Sequence, residues 1–266
     1  MIDGALPYLR CPVCGGTLAR PGERALSCPL GHSFDIARQG YVNLTAGRSP
    51  HSGDSADMIA DREAFLAEGH YDFIAEALAA AALPDGLVVD AGTGTGRYLA
   101  GVLEAHPAAQ GLGIDVSKPA LRRAARAHSR AAAALADLWC PLPLADASAS
   151  TVLNVFAPRN GPEFRRVLRP GGRLLVVTPA RDHLAELIAA FGLIKVDPAK
   201  AERVAGALGE GFTPEDTTTH RRTLRLTAAE TRTLIGMTPS ARHVPLEVTG
   251  THEVTVAVDV VAYRPV

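Results

Sequence analysis

The sequence predicts a two-part α/β protein, in which a small cysteine-rich module precedes a large domain built on a mostly parallel sheet. Three of the four cysteines and a histidine fall within residues 11–32. Strand and helix patterns then alternate from residue 87 to residue 178, which is typical of a parallel sheet with helices on both faces. Two β-rich runs, at 217–227 and 251–266, predict an antiparallel pair at one edge of that sheet.

Composition limits the classes of protein that this chain can be. With 266 residues, 47% of them apolar, it can bury one full-sized core beside a module of about forty residues. It has no signal-peptide pattern and no uncharged apolar run of about eighteen residues, so we expect a cytoplasmic protein that does not enter membranes. A net charge of −1 argues against binding nucleic acid through bulk charge. Local basic patches remain open, because residues 118–130 carry cations and no acid.

The cysteine-rich module has the spacing of a zinc site. Cys11-x-x-Cys14 and Cys28-x-x-x-His32 form two knuckles that suit a tetrahedral ion held by three thiolates and one imidazole. Four protein ligands leave no position for water, so the zinc is expected to be structural, and a module this small needs such a support. Disulfides are the alternative, but a reducing compartment and the histidine disfavour them. We expect the fourth cysteine, Cys140, to be a buried small hydrophobe.

The large domain begins with a predicted strand at Leu87–Val89, which ends at Asp90. A glycine-rich turn follows, and a helix begins after it at Arg97. The alternating glycines, which let a backbone approach a ligand closely, are Gly92, Gly94 and Gly96. The next strand ends at Asp115, where an acid can accept both hydroxyls of a ribose. The alternative is that Asp115 only caps the helix that starts at Ser117.

The remaining elements follow in order along the chain. They are a short strand ending near Asp137, a strand from Ser150, a helix at Pro162–Leu168, a Pro-Gly-Gly turn with a strand at Leu174–Thr178, and a helix at Ala228–Ile235 between the two β-rich runs. Between the module and the large domain, Asp54 or Ser55 is expected to cap a further helix.

Taken together, the motif at 90–96, Asp115, Asp137 and "LRPGGRL" (168–174) resemble the class I S-adenosylmethionine-dependent methyltransferases. More narrowly, the zinc knuckles and four further segments are similar to the bacterial 23S rRNA (guanine-N1)-methyltransferases, which include housekeeping and macrolide-resistance members. The segments are "HSFDIARQGYVNL" (32–44), "GDSADMIADREAFLAEGHY" (53–71), "VFAP" (155–158) and "TPARDHLAEL" (178–187).

This resemblance implies a Rossmann-like domain with a mostly parallel seven-stranded sheet at residues 46–266, behind a zinc-binding RNA-recognition module at residues 1–45. It implies methyl transfer to N1 of a guanine in a 23S rRNA hairpin loop, with macrolide resistance as one expected role, and a homodimer. The residues expected to bind S-adenosylmethionine are Asp90, Gly92, Gly94, Gly96, Asp115, Asp137 and Leu138.

The acceptor pocket is expected at Asn154–Pro158, by the same resemblance. Methyl transfer chiefly requires alignment of donor and acceptor atoms. Phe156 would stack on the base, Asn154 or a backbone carbonyl would bond the edge of the base, and Pro158 would complete the pocket. The alternative is that Phe156 belongs to the core and Asn154 only ends a strand. No residue stands out as the acceptor for the N1 proton.

Other candidate residues have two interpretations each. His70, Tyr71 and His183 would lie at the cleft by resemblance, but a structural or surface position explains them equally well. Arginines on the helix after Asp115 recur at near-turn spacing and would contact phosphates, or else form a solvated face: Arg122, Arg123, Arg126 and Arg130.

Two other functions stay open. A small-molecule methyltransferase acting on a natural product would require an apolar lid in place of basic loops. A non-catalytic adaptor would bind RNA or protein through the zinc module, although it would have no need of the intact glycines and Asp115.

Overall fold

The structure, a computed structural model, describes residues 2–47, 51–242 and 247–266. Its strands are β1 (Ala25–Ser27), β2 (Ser33–Asp35), β3 (Val42–Asn43), β4 (Asp85–Ala91), β5 (Ala108–Asp115), β6 (Ala131–Leu135), β7 (Ala149–Val155), β8 (Leu168–Pro179), β9 (Phe212–Thr227) and β10 (Thr251–Pro265). Its α-helices are α1 (Ile2–Ala5), α2 (Ala56–Ala67), α3 (Asp72–Ala81), α4 (Arg97–Ala105), α5 (Lys118–Ala124), α6 (Gly161–Val167), α7 (Ala185–Phe191), α8 (Lys200–Leu208) and α9 (Ala228–Gly236).

The large sheet has the order β3-β6-β5-β4-β7-β8-β10-β9. The strands from β3 to β8 pair in parallel, and β10 pairs antiparallel with both β8 and β9. The seven strands β4 to β10 confirm the predicted mostly parallel sheet and the antiparallel pair that closes it. β3 adds an eighth, two-residue strand that the sequence pattern did not predict.

Successive side chains of the central strands point to opposite faces of the sheet, so the core has two large apolar clusters, one on each face. In β4, Leu87 and Val89 join a cluster that includes residues of the cysteine-rich module, whereas Val88 joins the cluster on the opposite face. β6 and β7 are buried at every residue, because both of their faces are covered. The carboxyl ends of β4, β5 and β7 therefore meet at one edge, which is where open α/β sheets bind ligands.

Helix starts follow the capping residues of the sequence. Ser55 caps α2 by accepting a hydrogen bond from the Met58 amide, and Ser117 caps α5 in the same way. The other candidate cap, Asp54, instead pairs with Arg62 at 2.6 Å. α6 begins one residue earlier than predicted because Asn160 accepts a hydrogen bond from the Glu163 amide.

β8 is longer than the predicted strand at Leu174–Thr178. Its first residue, Leu168, already pairs with Ala149, and a register shift follows before Thr151 meets Arg173. The predicted Pro-Gly-Gly turn is this irregularity, with Gly171 at a φ of +73°.

The cysteine-rich module packs directly on the large sheet. Leu9 bridges to Leu144, and Val42 pairs in parallel with Ala134 of β6. Tyr41 lies in a small apolar cluster with Leu121 of α5. Strand pairing and side-chain packing thus both fix the module to the edge of the sheet.

Within the described residues, no helix is both long enough and apolar enough to cross a lipid bilayer.

Candidate functional site

The side chains of the two knuckles converge as a metal site requires. One ligand atom from each of Cys11, Cys14, Cys28 and His32 lies within 4.8 Å of all the others. The Sγ atoms of Cys14 and Cys28 are 3.7 Å apart, and His32 Nδ1 is 3.3 Å from the Sγ of Cys28. A tetrahedral zinc with bonds of about 2.3 Å to sulfur places sulfur atoms about 3.8 Å apart. The donor set therefore fits zinc, and it consists of protein groups alone, as a structural site requires.

The backbone of each knuckle turns back on itself to bring the ligands together. The Gly15 amide donates to the carbonyl of Cys11 at 2.8 Å, and the Gly31 amide donates to the carbonyl of Cys28 at 2.9 Å. Both glycines have positive φ, of +71° and +86°, which a side chain would disfavour.

The glycine turn after β4 is closely packed against two other segments. Gly92 has a φ of +87°, and a Cβ added there would lie 2.4 Å from the Cβ of Ala157. A Cβ added at Gly96 would lie 2.9 Å from the Cβ of Ala127. The contact at Ala157 brings the predicted cofactor turn and the predicted acceptor segment together, and the sequence pattern gave no sign of it.

Two acids hold this turn. Asp90 accepts a hydrogen bond from the Thr93 hydroxyl at 2.7 Å, and burial raises the pKa of Asp90 to about 7. Asp115 accepts from the Gly94 amide at 2.9 Å and from the Ser117 amide at 2.8 Å. The Asp115 carboxylate thus holds the glycine turn and the backbone of Ser117, whereas the residue that caps α5 is Ser117 and not Asp115.

Asp137 and Leu138 follow β6 on the same side of the sheet. Asp137 is buried, accepts from the Trp139 amide at 3.0 Å and pairs with His51 at 2.7 Å. Leu138 lies 3.7 Å from the position of a Cβ on Gly92. His51 carries no recognisable signal in the sequence, because its partner is distant along the chain.

These groups fit S-adenosylmethionine. Asp90 Oδ1 is buried and has no hydrogen-bond partner within the described part of the chain, so it offers an acceptor for a cationic amine. The glycine turn follows the carboxyl end of β4, and Asp115 lies at the end of the neighbouring strand, which is the edge where open α/β sheets bind ligands. A buried acceptor oxygen on Asp90 and the Asp115 carboxylate, on either side of the glycine turn, match the amino and ribose groups of this cofactor.

The acceptor segment continues from the buried end of β7. Asn154 donates to the carbonyls of Ala91 at 3.2 Å and Pro158 at 2.8 Å, and its Oδ1 is buried without a partner among the described residues. Phe156 is 43% exposed and has a φ of +52°, so it is not a core residue as the alternative assumed. Its ring lies 6.1 Å, centroid to centroid, from that of His183.

His70 and Tyr71 both have partners within the protein. Tyr71 is buried and meets Phe65 edge to face, and burial raises the pKa of the Tyr71 hydroxyl. His70 Nε2 is 2.9 Å from a carboxylate oxygen of Glu230 in α9. Tyr71 is therefore a core residue, and His70 is half-buried beside α9.

The arginines on α5 and after it divide into three kinds. Arg130 donates to the backbone carbonyls of Leu103, His106 and Ala109, which is a structural role. Arg123 pairs with Glu63 at 3.0 Å. Arg122 and Arg126 are exposed and have no ion-pair partner among the described residues.

These two arginines line a groove of about 730 Å³ between α5, α2, the start of α4 and the cysteine-rich module. We call it the arginine groove. Its basic residues are Arg38, Arg97, Arg122, Arg123 and Arg126. Arg38, like Arg122 and Arg126, is exposed, and Glu63 is the acid in the lining. The groove reaches the glycine turn at Thr95.

The prediction for Cys140 is wrong. Its side chain is exposed rather than buried, next to Trp139, which is 55% exposed. The two residues follow the end of β6 in a surface turn, where the Cys140 amide bonds the carbonyl of Asp137. An isolated small residue carries no pattern from which this exposure could be predicted.

Family models match two parts of the chain. The N-terminal zinc ribbon described as "RlmA, N-terminal" matches residues 9–52, and a methyltransferase domain matches residues 88–172. Among solved structures, the methyltransferase in the "Complex between the Haloferax volcanii Trm112 methyltransferase activator and the putative methyltransferase" is 18% identical, with a TM-score of 0.54 over 80% of this chain and 98% of that one. That likeness concerns the fold alone.

Two curated relatives match nearly the whole chain. A "Putative 23S rRNA (guanine-N(1)-)-methyltransferase" of Micromonospora griseorubida is 57% identical over 98% of both chains. The "23S rRNA (guanine(748)-N(1))-methyltransferase" of Streptomyces fradiae is 48% identical over 100% of this chain and 99% of its own. The chain therefore belongs to the 23S rRNA (guanine-N1)-methyltransferase family.

Proposed function

We propose that this protein transfers the methyl group of S-adenosylmethionine to N1 of a guanine in a hairpin loop of 23S rRNA. The observation that carries the proposal is the contact between Gly92 and Ala157, because it brings the cofactor turn against the acceptor segment. The two full-length relatives are named for the same chemistry. The relative from Streptomyces fradiae is named for guanine 748, so the corresponding position is the first to examine.

The cofactor-binding residues in this proposal are Asp90, Gly92, Gly94, Gly96, Asp115, Asp137 and Leu138. When bound, S-adenosylmethionine supplies a methyl group on a cationic sulfur. The chain orients that group: Asp90 accepts from the amino group, Asp115 holds the ribose hydroxyls, and the glycine turn permits close approach. Because the reaction is an in-line displacement, this alignment is the main contribution that the protein makes.

The acceptor residues in this proposal are Asn154, Phe156 and Pro158. An exposed aromatic face next to a buried, unpartnered amide oxygen suits an extruded base, which stacks on the ring and donates an N–H to the oxygen. The carbonyl of Pro158 holds the Asn154 side chain by accepting from its amide nitrogen.

The zinc site, with ligands Cys11, Cys14, Cys28 and His32, supports a module that recognises RNA at residues 1–45, with the methyltransferase domain at 46–266. The arginine groove supports this role, since it joins Arg38 of the module to Arg122 of α5 and to Arg126, which follows α5. Exposed arginines without protein partners are available to phosphate oxygens. A homodimer is also part of the proposal, on family grounds, and sedimentation equilibrium would test it.

The experiment that tests the proposed function is methyl transfer from labelled cofactor to 23S rRNA that lacks its own guanine-N1 methylation. We expect one reverse-transcriptase stop, at a hairpin guanine, that disappears in a Gly94→Arg variant. A stop at the position of guanine 748, together with raised macrolide tolerance in cells that express the enzyme, would assign the resistance role. Cofactor binding without any label in the RNA would favour a small-molecule methyltransferase, and no cofactor binding would favour the adaptor.

A further inference from the structure

Phe156 and His183 form an aromatic pair at the carboxyl end of β7. Their ring centroids are 6.1 Å apart and the rings are tilted by 33°. Phe156 comes directly after the strand that carries Asn154, and it is 43% exposed to solvent. His183 therefore lies beside the aromatic face on which we place the target base.

The protonation state of His183 follows from its surroundings. The Ala257 amide donates to Nδ1 at 3.3 Å, so Nδ1 is the acceptor and Nε2 carries the hydrogen. Burial lowers the pKa of His183 to about 4, and the ring is therefore neutral at physiological pH. Its neighbour Asp182 is paired with Arg221 at 2.7 Å, so the charge of that carboxylate is balanced. The neutral imidazole thus has an N–H donor at Nε2 and is a weak base.

Backbone strain marks the same place. Phe156, with a φ of +52°, and Leu184, with a φ of +56°, are two of the three non-glycine residues with positive φ in the described part of the chain. The left-handed conformation is unfavourable for side chains of this size and persists only where the surroundings impose it. Such strain concentrates at functional sites, and here it falls on Phe156 itself and on Leu184, the residue after His183.

The chemistry of guanine gives this donor a use, and this step rests on the proposed function. Methyl transfer to N1 forms an N1–C bond and breaks the C–S bond, whose electron pair goes to sulfur, while the N1 proton leaves to solvent water. As N1 loses its proton, negative charge develops on O6. We propose that the Nε2–H of His183 donates a hydrogen bond to O6 of the target guanine, stabilises this charge and excludes adenine.

The exclusion of adenine has a simple cause. Adenine carries an amino group in place of O6. This amino group is a hydrogen-bond donor, so it cannot accept from the Nε2–H of His183. A neutral, preorganised donor aimed at a developing oxyanion is also an effective electrostatic device, because it needs no rearrangement during the reaction.

The experiment compares His183→Phe, which keeps an aromatic ring and removes the donor, with His183→Gln, which keeps an N–H at a similar reach. The probes are a transcript of the 23S rRNA hairpin and the same transcript with inosine, which retains O6, at the target. We expect His183→Phe to lower the single-turnover rate by about 100-fold with both transcripts, as loss of one oxyanion donor does. His183→Gln should stay within about tenfold of wild type, and cofactor affinity should not change.

A pH profile separates this role from a structural one. The rate of His183→Phe should keep rising to higher pH than that of wild type, because its bound guanine loses the N1 proton less readily. Equal rates for wild type and His183→Phe, or equal losses in both variants, would overturn the inference while leaving the proposed function intact. A wild-type enzyme that methylates no guanine in this RNA would overturn the proposed function and the inference with it.

Discussion

At the scale of single residues, the site depends on groups whose neighbours come from distant parts of the chain. The sequence allowed the glycine motif and its acids to be predicted, because each lies at a strand end with a recognisable spacing. It did not allow the contact of Gly92 with Ala157, the pairing of His51 with Asp137 or the exposure of Cys140 to be predicted. Each of those depends on how loops from different strands meet.

Gly92→Ala should weaken cofactor binding. The new Cβ would lie 2.4 Å from that of Ala157, at a φ of +87°. Gly171→Ala is the matched control, because Gly171 also has positive φ, of +73°, but a Cβ added there would have no atom within 4 Å. We expect both variants to lose about 1 kcal/mol of stability from backbone strain, and Gly92→Ala alone to weaken cofactor binding by more than tenfold in calorimetric titration. Equal cofactor affinities in the two variants would contradict the assignment.

Asp90 should make stability depend on pH in a defined direction. Its pKa is raised from about 3.9 in an unfolded chain to about 7 by burial, so the folded state binds the proton more tightly. The stabilisation is complete below the unfolded pKa and is lost as the pH rises toward about 7, with a slope of up to about 1.4 kcal/mol per pH unit. Urea unfolding at several pH values should show this slope in wild type, and a reduced slope in Asp90→Asn. Equal slopes of unfolding free energy against pH in wild type and Asp90→Asn would refute the assignment of this pH dependence to Asp90.

At the scale of elements, capping residues and strand periodicity carried most of the prediction. Ser55, one of the two candidate caps, caps α2, whereas α5 is capped by Ser117 and not by Asp115; the antiparallel pair of β9 and β10 is where the β-rich runs indicated. Strand β3 was missed because Val42–Asn43 is too short to show any period. It pairs in parallel with the edge of β6 through Ala134 and Leu135.

Removal of the metal should destabilise the module first. We expect Cys28→Ser to lose bound zinc, measured by elemental analysis, and to lower the melting temperature, because the knuckles would lose the support that a module of this size needs. Cys140→Ser is the control, since Cys140 is exposed and outside the ligand cluster. Zinc retained in Cys28→Ser, or lost equally in Cys140→Ser, would show that the ligand set is wrong.

At the scale of the whole molecule, two differently built parts form one basic surface. The net charge of −1 gives no indication of this basic surface. From the sequence alone, the arginines at 122–130 could either contact phosphates or form a solvated face. The fold answers part of this question. Arg130 donates to backbone carbonyls and Arg123 forms an ion pair with Glu63, while Arg122 and Arg126 remain exposed beside Arg38.

The arginine groove should therefore govern the salt dependence of RNA binding. Arg122→Gln combined with Arg126→Gln should weaken binding to the hairpin and lower the slope of log affinity against log salt by about 1.4, at roughly 0.7 per lost phosphate contact. Arg225→Gln combined with Arg203→Gln removes the same charge from β9, at the opposite edge of the sheet, and from α8. This control pair should leave the slope unchanged, and identical slopes in both doubles would exclude the groove.

Identification of the methylated nucleoside tests the proposed chemistry without any intermediate assumption. After incubation with labelled S-adenosylmethionine, the 23S rRNA hairpin is digested to nucleosides and analysed by chromatography and mass spectrometry. We expect label in 1-methylguanosine alone, and its loss in Gly92→Ala but not in Gly171→Ala. Label in any other nucleoside, such as N2-methylguanosine or a methyladenosine, would contradict the acceptor geometry assigned to Asn154, Phe156 and His183.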